Sequence, residues 1–315
     1  MHWVIPFAGA LLPAAAEAAS SLALPHLEQL LARLTPTSRD EADDLSMSAP
    51  HERVLARAWG WPDLADGLLP LAAEAARTDG LAVANDGRGW GLLSPTHWHL
   101  GAERVSLTNP AELGLDEADA RVLFDALLPL FDGEGESLLW GAPTRWYLLH
   151  PRLATLPTAS LDRVVGRNVD LWLNTHPDAK LFRRLQAEAQ MLLHSHPLNE
   201  ARESRGQLPV NSFWMSGTGL PQPAAEIPGL VMDDRLRGPA LSEDWAAWSE
   251  AWVALDQGPM KQALTMAQDA DPDQPLALTL CGERHAQRFE SAPRTLRQRW
   301  FGPRRVAAAA LLQSL

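Results

Sequence analysis

Three short apolar runs constrain the fold more than anything else in the chain. Residues 2–7 (HWVIPF), 230–233 (LVMD) and 276–282 (LALTLCG) each read as a strand with little room for a wet face, and helical segments separate them. Strands that alternate with helices close into a mainly parallel sheet, because each crossover helix returns the chain to begin the next strand in the same direction. With 315 residues, 46% of them hydrophobic, the chain can bury one large core or two ordinary ones.

The texture between these runs differs. Helices are expected over residues 24–34 (LPHLEQLLARL, with Leu24, Leu27, Leu30, Leu31 and Leu34 on one stripe), over 46–60 with Ser48 as N-cap and Pro50 in the first turn, and over 68–80. A polar link joins the first two at residues 35–44. Then come two strands (GWGLLSPTHWHL and ERVSL) turning at Gly101, a helix over 116–131, and a hairpin (SLLWGAPTRWYLLH) folded near Pro143. A long helix follows over 177–194, then the strand VNSFWMS, with later helices beginning near Ser242 and Pro259. These patterns divide the chain into an α/β core, residues 1–84 and 176–315, and an inserted α+β domain, residues 85–175.

Charge and composition exclude several classes. A formal net charge of -12 disfavours nucleic acid and anionic membrane surfaces as partners, because like charges meet without gain. No stretch reaches the ~18 uninterrupted apolar residues of a membrane helix. The start resembles a secretion signal in having small residues near Ala-x-Ala, but it has no Lys or Arg before the apolar part and Pro6 interrupts it, so it reads as a first buried strand of a cytoplasmic protein. The single cysteine, Cys281, allows no intrachain disulfide and sits in an apolar run, as a packed thiol does. Thirteen tryptophans stand against one tyrosine; Trp245, Trp248 and Trp252 fall on one helix face and belong to a core.

Candidate chemistry is sparse. His97 and His99, two apart, could face one metal or anion from the same side of a strand, or line a pocket. His194 and His196 stand where a helix ends and can satisfy its terminal carbonyls. Asp233, Asp234, Glu283 and His285 follow strands, where ligands of α/β sheets bind, or else cap turns. Arg145, Arg163, Arg167, Arg202 and Arg205 suit phosphate or carboxylate if gathered, and ion pairs if not. No phosphate-binding glycine loop and no nucleophile elbow is present.

Residues 191–223, MLLHSHPLNEARESRGQLPVNSFWMSGTGLPQP, resemble a segment of the archaeal-type, cofactor-independent phosphoglycerate mutases over about thirty positions. Upstream, LATLPTASLDRVVGRNVDLWLNTHPDAKLF resembles a second stretch of that family, with Ser160, Leu161 and Asp162 standing where the family has Pro-His-Asp; together the likeness covers residues 116–223. The whole chain, with its IPFA start, SAPHERVLA, PTHWHLG, NSFWMSGTG and LTLCGE, is also similar to a proteobacterial group of RpfE-type regulatory or phosphoglycerate mutase-like proteins.

The resemblance implies an alkaline-phosphatase-like α/β core with an inserted domain, two divalent metals on Asp and His ligands, and a Ser or Thr that carries phosphate between the hydroxyls of a glycerate. This chain departs from that equipment. The first strand runs into Pro6, Phe7, Ala8 and Gly9 where the family has a metal-binding Asp-Gly, and no acid follows until Glu17. Ser46 or Ser48 stands in for the nucleophile. The expectation is a mutase-like pseudoenzyme without metals, keeping a small anionic, phosphorylated ligand near His97, His99, Arg145, Asp162, Asn199, Arg202, Asn211, Trp214, Gly217 and Gly219. The alternatives are an active mutase or phosphatase using Mn or Zn on His97, His99, Glu283 and His285, and an interaction module whose tryptophan-rich surface docks a protein.

Overall fold

In the computed structural model of the protein, residues 1–101, 104–133, 136–173, 175–223, 226–269, 275–291 and 306–315 are described. The elements begin with β1 (His2–Ile5), α1 (Pro13–Ser21), α2 (Pro25–Leu31), β2 (Leu34–Asp40), α3 (Pro50–Ala58) and α4 (Leu71–Thr78). They continue with β3 (Gly89–Thr96), β4 (Trp98–Leu100), β5 (Val105–Leu107), α5 (Glu117–Leu127), β6 (Ser137–Ala142), β7 (Arg145–His150), α6 (Leu161–Val164), α7 (Ala179–His194), α8 (Pro197–Ser204) and β8 (Ser212–Gly219). The last are β9 (Leu230–Met232), α9 (Arg237–Leu241), α10 (Trp245–Leu255), α11 (Lys261–Asp269), β10 (Ala277–Cys281), β11 (Ala286–Ser291) and α12 (Ala308–Gln313).

These pack as two units. The first comprises Met1–Asp44, Arg53–Ala58 and Glu226–Leu315. Its five strands run in the order β2-β11-β10-β1-β9; β1 is parallel to both β10 and β9, and β11 is antiparallel to β10 and β2. The three expected strands therefore do form a parallel centre, and antiparallel strands extend it on one side. Alternation along β1 explains its unbroken apolar run. Trp3 and Ile5 join the large core with Leu27, Leu30, Trp248, Trp252 and Leu278, whereas Val4 packs with Cys281 and Ala286 beside Val54 of α3. Trp248 and Trp252 have no exposed surface and meet edge to face at 6.1 Å, as the helical spacing predicts. Burial pushes the Cys281 thiol up, so it stays protonated and inert.

The second unit comprises Leu45–Glu52 and Trp59–Ala225. Its four strands, β6-β7-β3-β8, are antiparallel throughout, and β4 and β5 form a separate hairpin. Apolar residues of α5 and α7 cover one face around Leu93, Trp146 and Phe213, and α4 covers the other through Ala72, Ala73 and Ala76 against Trp90 and Tyr147. Residues 59–84 and 176–223, read from sequence as part of the main core, belong here because β8 pairs with β3. The chain is thus a mixed α/β fold.

Local readings also change. The expected polar link at 35–44 contains β2, whose exposed polar residues show that it is an edge strand with no apolar alternation to betray it. Leu34 belongs to that strand and not to the α2 stripe. The polar stretch after His196 is α8, with Pro197 in its first turn. The His196 ring accepts the Leu198 N–H at 3.2 Å, so it caps the start of α8 rather than the end of α7. Glu103 and Trp300 lie outside the described residues.

Candidate functional site

In a parallel α/β sheet, ligands gather beyond the carboxyl ends of the strands. In the first unit that place is filled by the chain's own residues 306–315. A methyl group built on Gly9, just past β1, would lie 2.0 Å from the Leu312 carbonyl oxygen, and Gly282, just past β10, lies against Leu315. Leu312 and Leu315 are each 1% exposed. The N–H groups of Arg284 and His285 donate to the Leu315 carbonyl at 3.2 and 2.8 Å.

The acids and histidine at these strand ends have local duties. Asp233 is ion-paired with Arg235 at 2.8 Å, and Glu283 accepts the Leu11 N–H at 2.9 Å. The His285 ring accepts the Ala42 N–H at 3.4 Å, and burial, with Arg39 nearby, lowers its pKa. Among the described residues, no three His, Cys, Asp or Glu side chains converge as metal ligands. The donor set here does not fit a two-metal centre.

A second polar cluster lies within the second unit, where residues 46–52 meet 158–163. Both stretches carry the resemblance described above, and the fold brings them together. Ser160 donates its hydroxyl to Glu52 Oε1 at 2.7 Å; Glu52 Oε2 accepts the Ala49 N–H at 2.8 Å, closing the start of α3 as a capping box does. His51 Nε2 lies 3.3 Å from Asp162 Oδ2. Asp66 accepts the Ser46 hydroxyl and the N–H groups of Met47 and Ser48 at 3.1, 2.7 and 2.8 Å. The Ser48 hydroxyl accepts the Gly67 N–H at 2.9 Å, and Arg163 donates to the Ser46 carbonyl at 3.0 Å. Burial holds the Glu52 carboxyl above the ordinary carboxylate range, only partly opposed by His51 and the Ser160 hydrogen bond. The space beside Ser48, Glu52, Thr158, Ser160 and Gly217 is about 10 Å³, room for one water and not for a glycerate.

Most of the residues expected around a ligand are committed to the chain itself. Arg145 grips Asp79 through two nitrogens, at 2.9 and 2.6 Å. Asn199 donates to the carbonyls of Leu193 and Val210 and accepts the Val210 N–H. Arg202, wholly buried, donates to the carbonyls of Leu208 and Leu113. Asn211 pairs with Trp98 as a neighbouring strand would, accepting its N–H at 2.7 Å and donating to its carbonyl at 3.0 Å. Trp214 donates to the Ala159 carbonyl at 2.9 Å. Gly217 (φ +66°) and Gly219 (φ +141°) do permit a close approach, but of Ala72 and Leu68 on their own chain. His97 donates from Nδ1 to the Pro209 carbonyl at 2.9 Å; His99 is exposed, its ring centre 6.4 Å away. Asp162 alone joins the polar cluster above. Of the arginines, Arg202 and Arg205 share the Asp119 carboxylate at 3.4 and 3.1 Å, and Arg145 pairs with Asp79.

Sequence reasoning passed over a third group, in the first unit. Asp40 at the end of β2 is buried and receives both Arg53, at 2.7 Å, and Arg57. Beside them a cavity of about 140 Å³ is lined by Ser38, Asp40, Val54, Arg57, Ala58, Thr279, Ala286 and Arg288. The i, i+4 spacing of Arg53 and Arg57 on the α3 pattern was the available signal.

The sequence matches no protein-family model and no curated protein. Among solved structures, the chain is similar to the cofactor-independent phosphoglycerate mutase from Thermoplasma acidophilum DSM 1728, at 12% identity over 98% of this chain and 94% of that one, with a TM-score of 0.39. It is also similar to the PH0037 protein from Pyrococcus horikoshii, at 12% identity over 92% of this chain and 87% of that one, with a TM-score of 0.46.

Proposed function

We propose that this chain is a phosphoglycerate mutase-like protein, of alkaline phosphatase type, that has lost the two-metal phosphotransfer site and serves as a regulatory or anion-binding protein of the cytoplasm. One observation carries the reading: Leu312 and Leu315 occupy the carboxyl ends of β1 and β10, against Gly9 and Gly282, where metals and a substrate would otherwise sit. Two metals would there lower a nucleophile's pKa and clamp phosphoryl oxygens; apolar side chains can do neither. In this reading the second unit corresponds to the inserted domain, with wider bounds than residues 85–175. The docking alternative expects exposed aromatic patches, yet none of the twelve described tryptophans is exposed. No helix among the described residues is long and apolar enough to cross a membrane.

The test is elemental analysis of the purified protein after equilibration with manganese and zinc, beside a coupled assay with 3-phosphoglycerate. The reading expects no stoichiometric pair of ions and no turnover. Two tightly bound ions per chain, or metal-dependent turnover abolished by His97→Ala or His285→Ala, would return the protein to the enzymes.

A further inference from the structure

The cavity beneath α3 in the first unit has the chemistry of an oxyanion site. Ser38, Arg288 and Thr279 are direct cross-strand neighbours on β2, β11 and β10, so their side chains project from one face of the sheet. Arg57 closes the cavity from the helix. Each guanidinium has a carboxylate partner and donors to spare. Arg57 meets Asp40 through one nitrogen, and Arg288 donates from Nε to Glu290 at 2.7 Å. The other N–H groups of both have no hydrogen-bond partner among the described residues, and neither does the exposed Ser38 hydroxyl. The Thr279 hydroxyl is hydrogen-bonded to His2 Nε2 at 2.8 Å.

The charge balance also favours an anion. Three guanidinium groups, Arg53, Arg57 and Arg288, face two carboxylates, Asp40 and Glu290, in a protein whose net charge is -12. Asp40 would repel an anion if bare, but two arginines hold it and it is buried. Forked guanidinium donors with hydroxyls between them match the oxygens of a phosphoryl group. A cavity of about 140 Å³ takes such a group with ease.

We infer that this cavity is a binding site for a small phosphoryl oxyanion, either inorganic phosphate or the phosphate of a phosphomonoester, held by Arg57, Arg288, Ser38 and Thr279. The inference deepens the anion-binding part of the reading above and does not depend on the loss of the metals.

The experiment is isothermal titration calorimetry on the full chain at fixed ionic strength, with inorganic phosphate and 3-phosphoglycerate as separate probes and acetate as control. Saturable one-to-one binding of either phosphoryl probe is expected, and the tighter of the two identifies the source. Arg288→Gln should weaken binding about tenfold or more, the scale of a lost charge-assisted hydrogen bond. Ser38→Asp, at an exposed edge position, places a carboxylate in the site without disturbing an ion pair and should abolish binding even if Arg288→Gln folds poorly. Arg183→Gln, an exposed arginine of the second unit, should change nothing. No saturable heat with either probe, or equal affinity in wild type and Ser38→Asp, overturns the inference. Metal-dependent turnover would sink the reading of lost catalysis and leave this site standing.

Discussion

Tyr147 and Asp79 are joined by a 2.6 Å hydrogen bond from phenol to carboxylate, and Arg145 grips the same carboxylate. Arg145, and then the Tyr147 hydrogen bond, hold the Asp79 carboxyl below its ordinary range, while burial and the carboxylate push the phenol up. Asp79→Asn should therefore cost about 1–3 kcal/mol near neutral pH, because the amide loses the charge that Arg145 pairs with and keeps one acceptor oxygen where the carboxylate has two, so its NH2 group faces a donor of Arg145 or Tyr147. A carboxyl with a depressed folded pKa stabilises above its unfolded value of 3.8 and loses that contribution as pH falls through the folded one. The deficit of the variant, read by urea unfolding, should shrink from pH 7 to pH 3. Phosphate binding should be untouched.

Gly9→Ala tests the filled strand ends. Its new methyl would fall 2.0 Å from the Leu312 carbonyl oxygen, so the segment carrying Leu312 must move. A loss of at least about 2 kcal/mol is expected, with faster proteolysis within residues 306–315. Leu312→Ala, which empties a fully packed position, should cost about 2–5 kcal/mol by the same denaturation measurement. Wild-type stability in both variants would mean that the segment does not pack there.

Glu52 gives the opposite pH signature to Asp79. Burial raises its folded pKa above 4.5, so the native state binds the proton more tightly than the unfolded chain does. Its contribution is fully present below 4.5 and is lost as pH rises through the folded value. Glu52→Gln, which keeps an acceptor for the Ser160 hydroxyl, should flatten the decline of stability above pH 4.5. Parallel urea curves for the two proteins from pH 4 to 8 would contradict this.

His2 provides a local reporter for the proposed anion site. Burial, and next the charge of Arg288, lower its pKa to about 4. Its imidazole resonances should titrate near that value, far below an exposed histidine. The shift also makes stability fall as pH drops from 6.5 toward 4, since the unfolded chain takes up the proton first. Saturating phosphate should move the titration upward, because an anion beside Thr279 and Arg288 favours the charged ring.

Asn199→Ala should lose about 2–4 kcal/mol, since it strands the carbonyls of Leu193 and Val210 and the Val210 N–H in the core. Phosphate affinity should not change, for this side chain joins α8 to the start of β8 and touches no cavity named above.

The sequence made the apolar parts legible and the polar ones ambiguous. β1, β9 and β10 show as apolar runs because a strand buried on both faces needs nothing else, and the Trp248 and Trp252 spacing marks a buried helix face. β2 and β11 stayed hidden because residues such as Ser38, Arg39, Gln287 and Arg288 carry no alternation of apolar side chains. Asn199, Arg202, Asn211 and Gly217 look like site residues for a physical reason: buried polar groups that replace missing backbone partners, and glycines that admit a helix, are the same residue types that bind ligands. Only contacts far apart in sequence separate the two uses. Gly9 beside Leu312 is such a contact, and no local pattern announces it.

The position of β1 bears on how the chain acquires its structure during synthesis. His2 and Trp3 stand opposite Ala277 and Leu278, so this pairing of β1 waits until more than 270 further residues have left the ribosome. The antiparallel sheet of the second unit draws only on residues 89–219 and can assemble earlier. Such distant pairing is slow, and until β10 arrives β1 lacks its partner on that side and presents an open strand edge.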